Sequence, residues 1–174
     1  MEIIRVAGFD PGLRFSGYGI VTFNCETNEF STEHCGVIKN KSSTVLKGLD
    51  AIMHMRDLIQ EVSQAEQLKT VDATVVEVPA AIYNKKFSSG GLIPPSVVAG
   101  IALMSFAETE VIPVYPTVWN SRKKKEQTAK IVQGFLGESE TWNYDYCPKA
   151  KSQMEHIIDA MGMALWYMRL QYLD

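Results

Sequence analysis

Short apolar runs over residues 3–9 and 17–23, and alternating apolar and polar positions over 30–38, predict three strands in the first quarter of the chain. A turn at Asp10-Pro11-Gly12 joins the first two, and the polar stretch 24–29 joins the next two, so an antiparallel meander is expected. The period then changes. Val45, Leu49, Ile52, Met53, Met55, Ile59 and Val62 fall on one face of a helix, with Ser42-Ser43-Thr44 placed to cap it. The β-branched run 71–77 predicts a buried strand ending in Glu77, and residues 84–95, rich in Ser, Gly and Pro, read as a loop. Beyond it come an apolar helix of small residues to about 107, a strand over 111–115, a helix over 124–136, an irregular aromatic segment over 137–148, and a last helix over 153–170. A meander followed by alternating strands and helices predicts an α/β fold: a five-stranded mixed sheet, antiparallel then parallel, flanked by helices.

Composition narrows the class without naming a function. A chain of 174 residues suits a single domain, 1–174, with a full core. No apolar run approaches the ~18–20 residues that cross a bilayer, so no membrane association is expected. The chain enters a strand almost at once, leaving no room for a secretory peptide, and its three cysteines, Cys25, Cys35 and Cys147, lack metal-ligand spacing. A reducing, cytoplasmic setting follows as the expectation. Net charge is −3, yet Arg122, Lys123, Lys124 and Lys125 form a basic run with Lys130 one turn further on, and Lys85-Lys86 forms a second cluster. Such local patches can hold a phosphate backbone on an otherwise acidic protein.

Three acids in apolar surroundings carry the candidate chemistry. Asp10 and Glu77 each end a predicted strand, where an α/β sheet gathers its functional side chains. If those strands are parallel neighbours, the two carboxylates come within a few ångströms of each other. Asp159 lies on the last helix with His156 at i−3 and Glu155 at i−4, so either can share its face. Clustered carboxylates repel and need protons or cations between them. Hard divalent ions with oxygen ligands serve best, Mg²⁺ or Mn²⁺, and a pair of ions about 4 Å apart suits phosphodiester hydrolysis.

The sequence around these acids resembles a known family. Gly8-Phe9-Asp10-Pro11-Gly12-Leu13-Arg14-Phe15-Ser16-Gly17-Tyr18-Gly19 looks like the opening motif of RuvC-type Holliday junction resolvases, including phage-type variants. Val75-Val76-Glu77 resembles the family's second motif, and His156-Ile157-Ile158-Asp159-Ala160-Met161 resembles its C-terminal helix. The resemblance runs over nearly the whole chain. It implies an RNase H-like fold and a homodimer in which each subunit cuts one strand of a four-way or branched DNA, using Mg²⁺ with Mn²⁺ as a substitute. It implies Asp10, Glu77, His156 and Asp159 as the metal-binding catalytic set, with Lys125, and next to it Lys124, as the match for a lysine at the scissile phosphate. Glu155 has no counterpart in the motif. Arg14, Arg122, Lys123 and Lys124 are the implied DNA contacts of the core, and Tyr83 and Phe87, flanked by Lys85 and Lys86, the aromatics that stack on unpaired bases. The small-residue helix from Ser96 is the implied dimer element. A lysine that relatives carry after Pro-x-x-[VW] is replaced: Pro116-Thr117-Val118-Trp119 is followed by Asn120. The 84–94 loop stands where relatives run helical. Nothing in the sequence names a branch-migration helicase partner.

Two other functions fit the same residues: a nuclease for forks, flaps or RNA–DNA hybrids, and a junction-binding module without cleavage. A phosphotransferase of the actin and sugar-kinase type, whose sheet also opens with a strand-end Asp, needs two such domains and about twice this length.

Overall fold

A computed structural model describes residues 2–40, 48–79, 89–121, 123–145 and 148–173, with the side chains of 89–93 excepted. Strands β1 (Ile3–Asp10), β2 (Phe15–Asn24) and β3 (Glu29–Lys39) form the expected meander. Helix α1 (Leu49–Ser63) and the short α2 (Glu66–Lys69) lead to β4 (Ala73–Glu77), and α3 (Ser89–Ser105) leads to β5 (Glu110–Val114). Then follow α4 (Pro116–Trp119), α5 (Lys125–Leu136), a single 3₁₀ turn at Ser139–Thr141, and α6 (Lys151–Tyr172). The sheet order is β3-β2-β1-β4-β5, with β1 antiparallel to β2 and parallel to β4. This is the α/β mixed sheet that the pattern predicts.

The strand alternation divides the core in two. Val6, Val21 and Val75 face α5 and α6 and pack on Ile157, Met161 and Met168. Their chain neighbours Ala7, Ile20 and Val76 face the other way, onto Met55 and Ile59 of α1 and Val98 and Ala102 of α3. With side chains alternating at period two, Asp10 falls on the face of Val6 and Glu77 on the face of Val75, both toward α6. Backbone hydrogen bonds cover the β3 edge: Cys35 N–H donates to Asn143 O and Asp145 N–H to Cys35 O, both at 2.9 Å. Cys25 is a free thiol.

One expectation needs correcting. The supposed loop is helical from Ser89 onward, so Pro94 and Pro95 lie inside α3 and the helix begins well before residue 95. Proline removes an N–H and crowds the carbonyl four residues back. Here those carbonyls belong to Gly90 and Gly91, so the two lost hydrogen bonds fall within the first turns of α3 and leave the rest of the helix intact. The proposed cap Ser42-Ser43-Thr44 and Val45 lie outside the described residues. Gly48, at φ 63°, immediately precedes α1. Among the described residues, no helix is long and apolar enough to cross a membrane.

Candidate active site

Parallel pairing of β1 with β4 runs from Val6 opposite Ala73 to Phe9 opposite Val76. The next residue on each strand is Asp10 and Glu77, so register alone sets the two carboxylates side by side. Helix α6 adds the rest, and it can do so because glycines leave room for it. A β-carbon on Gly8 would stand 1.8 Å from the carbonyl oxygen of Ala160, and one on Gly17 would stand 2.1 Å from that of His156. The backbone of α6 therefore rests directly on β1 and β2, with His156 and Asp159 over the end of β1.

The side chains meet as follows. His156 Nδ1 lies 2.5 Å from Asp10 Oδ2, and Asp10 is only 7% exposed. Trp119 of α4 donates its indole N–H to Glu77 Oε2 at 2.8 Å. Lys125, the first residue of α5, donates to Glu155 Oε2 at 2.7 Å and feels the charges of Asp159 and Asp10. Arg14 is exposed beside the Phe15 ring, 5.3 Å from its centre, and that ring is 6.4 Å from the ring of His156.

Burial is the largest influence on the acids of this cluster. Burial, then the neighbouring Asp10, pushes Glu77 up to about 8, against the opposing hydrogen bond from Trp119. Burial and Asp10 likewise push Asp159 up to about 7. Burial works against a charged His156, but its hydrogen bond to Asp10 and the two aspartate charges outweigh this and raise its pKa. All three shifts have the same physical meaning: the folded cluster takes up positive charge more readily than its separated parts.

The structure thus brings Asp10, Glu77, His156 and Asp159 together and sets Lys125 beside them. Lys123 and Lys124 are exposed at the start of α5, where the Lys124 backbone N–H donates to Gln127 Oε1 at 3.1 Å. Tyr83, Lys85, Lys86, Phe87 and Arg122 lie outside the described residues. Two participants escape sequence reasoning. Trp119 looks like part of a strand-end pattern, and nothing in its spacing shows that its N–H reaches Glu77. Glu155 looks like a bystander to Asp159, whereas its partner Lys125 is thirty residues away in sequence.

Comparison with protein-family models and with curated proteins finds no match. Solved structures do resemble the chain. A Thermus thermophilus RuvC in complex with a Holliday junction substrate is 23% identical, with a TM-score of 0.67, over 97% of this chain and 96% of that one. A second T. thermophilus RuvC structure is 22% identical at the same TM-score, over 97% and 98%. The Fowlpox virus resolvase, in complex with its substrate Holliday junction DNA, is 16% identical with a TM-score of 0.54, over 98% and 100%. At these identities the likeness establishes the fold, which is that of the RuvC-type, RNase H-like proteins.

Proposed function

We propose that this chain is a structure-selective endonuclease that resolves four-way DNA junctions, its 174 residues forming one nuclease domain. The observation that carries the reading is the convergence of two carboxylates at the ends of adjacent parallel strands with a third carboxylate and a histidine from α6. The substrate class is supported by the RuvC and Fowlpox virus resolvase structures of the same fold, each in complex with a Holliday junction. A homodimer cutting one strand per subunit is part of the same reading; on α3, the helix it would use, Val97 and Met104, seven residues apart, are 40% and 78% exposed. A bacterial or phage-infected cytoplasm is the setting such a reaction implies.

A divalent cation, Mg²⁺ or Mn²⁺, fits the donor set. Carboxylates and one imidazole are the ligands such ions take, and burial together with the Asp10 charge makes Glu77 and Asp159 favour neutralisation. Among the described residues, no group of three or more His, Cys, Asp or Glu side chains stands ready to enclose an ion. His156 holds one oxygen of Asp10 and Trp119 one oxygen of Glu77, and Asp10, Glu77, Asp159 and His156 are the residues that would hold the cation. When bound, the ion supplies an activated water and stabilises the leaving oxygen of the phosphodiester. The protein contributes the rest. Asp10, Glu77, His156 and Asp159 would hold the ion, and α6, whose backbone rests on β1 and β2, walls one side of the site. Lys125, released from Glu155, reaches the scissile phosphate with its positive charge.

A panel of labelled substrates tests this: a four-way junction, a fork, a flap and an RNA–DNA hybrid, each with Mg²⁺. Paired, symmetric nicks in the junction at the highest rate are expected. Faster cutting of the plain hybrid would replace the substrate, and tight junction binding with no cutting in any divalent ion would replace the enzyme by a binding module.

The titration shifts give a second expectation. Glu77 and Asp159 have folded pKa values raised above those of the unfolded chain, so between about pH 4 and pH 8 the folded state holds more protons. The stability they confer is complete below the unfolded values and is lost as pH rises through about 7 to 8; His156, raised as well, acts in the same direction. With metal chelated, the melting temperature should therefore fall by about 5 °C or more from pH 5.5 to pH 8.5. Added Mn²⁺ should recover most of that at pH 8.5 and little at pH 5.5, because ions compete with protons for the same oxygens. A flat profile, or a Mn²⁺ effect independent of pH, would remove the acid cluster as the metal site.

A further inference from the structure

A second feature lies one helical turn along α6 from the acids, on the outer side of Trp119. There α4, α5 and α6 enclose a cavity of about 250 Å³. Trp119 and Trp166 provide aromatic surface, and Gly162 keeps it open: a β-carbon there would stand 2.9 Å from the Trp119 ring. Lys123 and Arg169 bring positive charge, Asn120 an amide, and Ser121 and Thr128 hydroxyls, and among the described residues no carboxylate lines the cavity. The guanidinium of Arg169 sits over the Phe135 ring at 5.0 Å, and its Nε is buried without a hydrogen-bond partner. A guanidinium at a cavity wall is built to receive phosphate or carboxylate.

We propose that this cavity binds a nucleotide, with the base against Trp119 and Trp166 and the phosphate between Arg169 and Lys123. Aromatic surface beside cations is the combination that takes a base together with its phosphate. Size agrees: the volume is below the roughly 300–1,000 Å³ of pockets for drug-sized ligands, and suits one base with its attached group. On a chain of net charge −3, two cations in the lining of one cavity are a local feature rather than part of a general basic surface. The ligand is either a free mononucleotide or one unpaired nucleotide of a DNA strand; both present the same chemistry. The inference does not rest on the nuclease reading, since it concerns other side chains and is tested by binding. It does touch the acid cluster physically, because the same Trp119 that walls the cavity donates to Glu77.

The chain has three tryptophans, which makes the test specific. Trp119 and Trp166 line the cavity, whereas the Trp142 indole N–H is bound to the Leu136 and Gly137 carbonyls elsewhere. The full chain, labelled with ¹⁵N, is titrated with thymidine 5′-monophosphate, thymidine, inorganic phosphate or a five-residue oligothymidylate, and the indole N–H resonances are followed. The monophosphate should move Trp119 and Trp166, saturate below about 5 mM, and leave Trp142 in place. Lys123→Gln, on an exposed side chain, and Arg169→Lys should each weaken binding about tenfold, while Asp10→Asn should bind as the wild type does. Tighter binding of the oligonucleotide with the same Lys123 dependence assigns the site to a strand, and binding of the monophosphate alone assigns it to a free nucleotide. The proposal is overturned by absence of saturation, by inorganic phosphate acting as well as the nucleotide, or by binding that is lost in Asp10→Asn and kept in Lys123→Gln. That last result would place the nucleotide at the acids.

Discussion

Asp10→Asn is expected to lower junction cleavage by about 10³-fold or more while making the metal-free protein more stable at pH 8. Both effects follow from one position. Asp10 is buried at the end of β1, holds His156 at 2.5 Å, and is the charge that most raises both Glu77 and Asp159. Asparagine keeps the size and can still accept a hydrogen bond from His156, so the packing survives. The charge does not, and with it goes the strongest anionic donor for a divalent ion. In the metal-free state the same loss relieves repulsion: Glu77 and Asp159 ionise more easily, and the melting temperature at pH 8 with chelator should rise by about 2–4 °C. Junction nicking with Mg²⁺ and thermal melting with chelator measure the two halves. Wild-type cleavage by the variant would sink the proposed site. Inactivity combined with a lowered melting temperature would mean that Asp10 acts as a structural hydrogen-bonding group and not as a repelling charge.

Gly8→Ala should be the most damaging single methyl group in the molecule. The added carbon would lie 1.8 Å from Ala160 O and 2.6 Å from Ala160 C, both backbone atoms of α6, so no flexible side chain can yield. The helix would have to retreat by more than 1 Å along its contact with β1. That opens the packing of Val6, Val75, Ile157 and Met161 and carries His156 and Asp159 away from Asp10. A loss of about 4 kcal/mol or more is expected, at the upper end for overpacking, together with loss of cleavage at temperatures where some fold remains. Gly134→Ala is the matched control. It lies within α5 with nothing inside 4 Å of the added carbon, and should be neutral or stabilise by up to about 1 kcal/mol. Chemical denaturation of the two variants beside the wild type checks the contrast, and equal stability of Gly8→Ala and Gly134→Ala would refute the close helix–strand contact.

The sequence signals that proved reliable are those whose cause is local. Period-two alternation set the strands, and the change to a helical period set α1, α5 and α6, because each pattern reports which faces of one element are buried. The carboxylates at Asp10 and Glu77 were legible as strand ends for the same reason. The prolines at 94 and 95 misled because proline's cost depends on where in a helix it falls, and α3 begins earlier than its composition suggests, with glycines four residues before each proline. The basic run was legible as charge, but its members separate in space: Lys125 turns to Glu155 and the acids, whereas Lys123 lines a different cavity.

By itself, then, the sequence determined the α/β class, the order of elements and the acids that end or face them, since these depend on residue type and spacing within one segment. Tertiary structure decided which acids meet, and how. Parallel register between β1 and β4 put Asp10 beside Glu77, and the bare backbone at Gly8 and Gly17 let α6 approach closely enough to add His156 and Asp159. Only packing brought Trp119 to Glu77 and Glu155 to Lys125, across forty-two and thirty residues of chain. Contacts at that separation are set by the shape of the assembled core, and no local pattern encodes them.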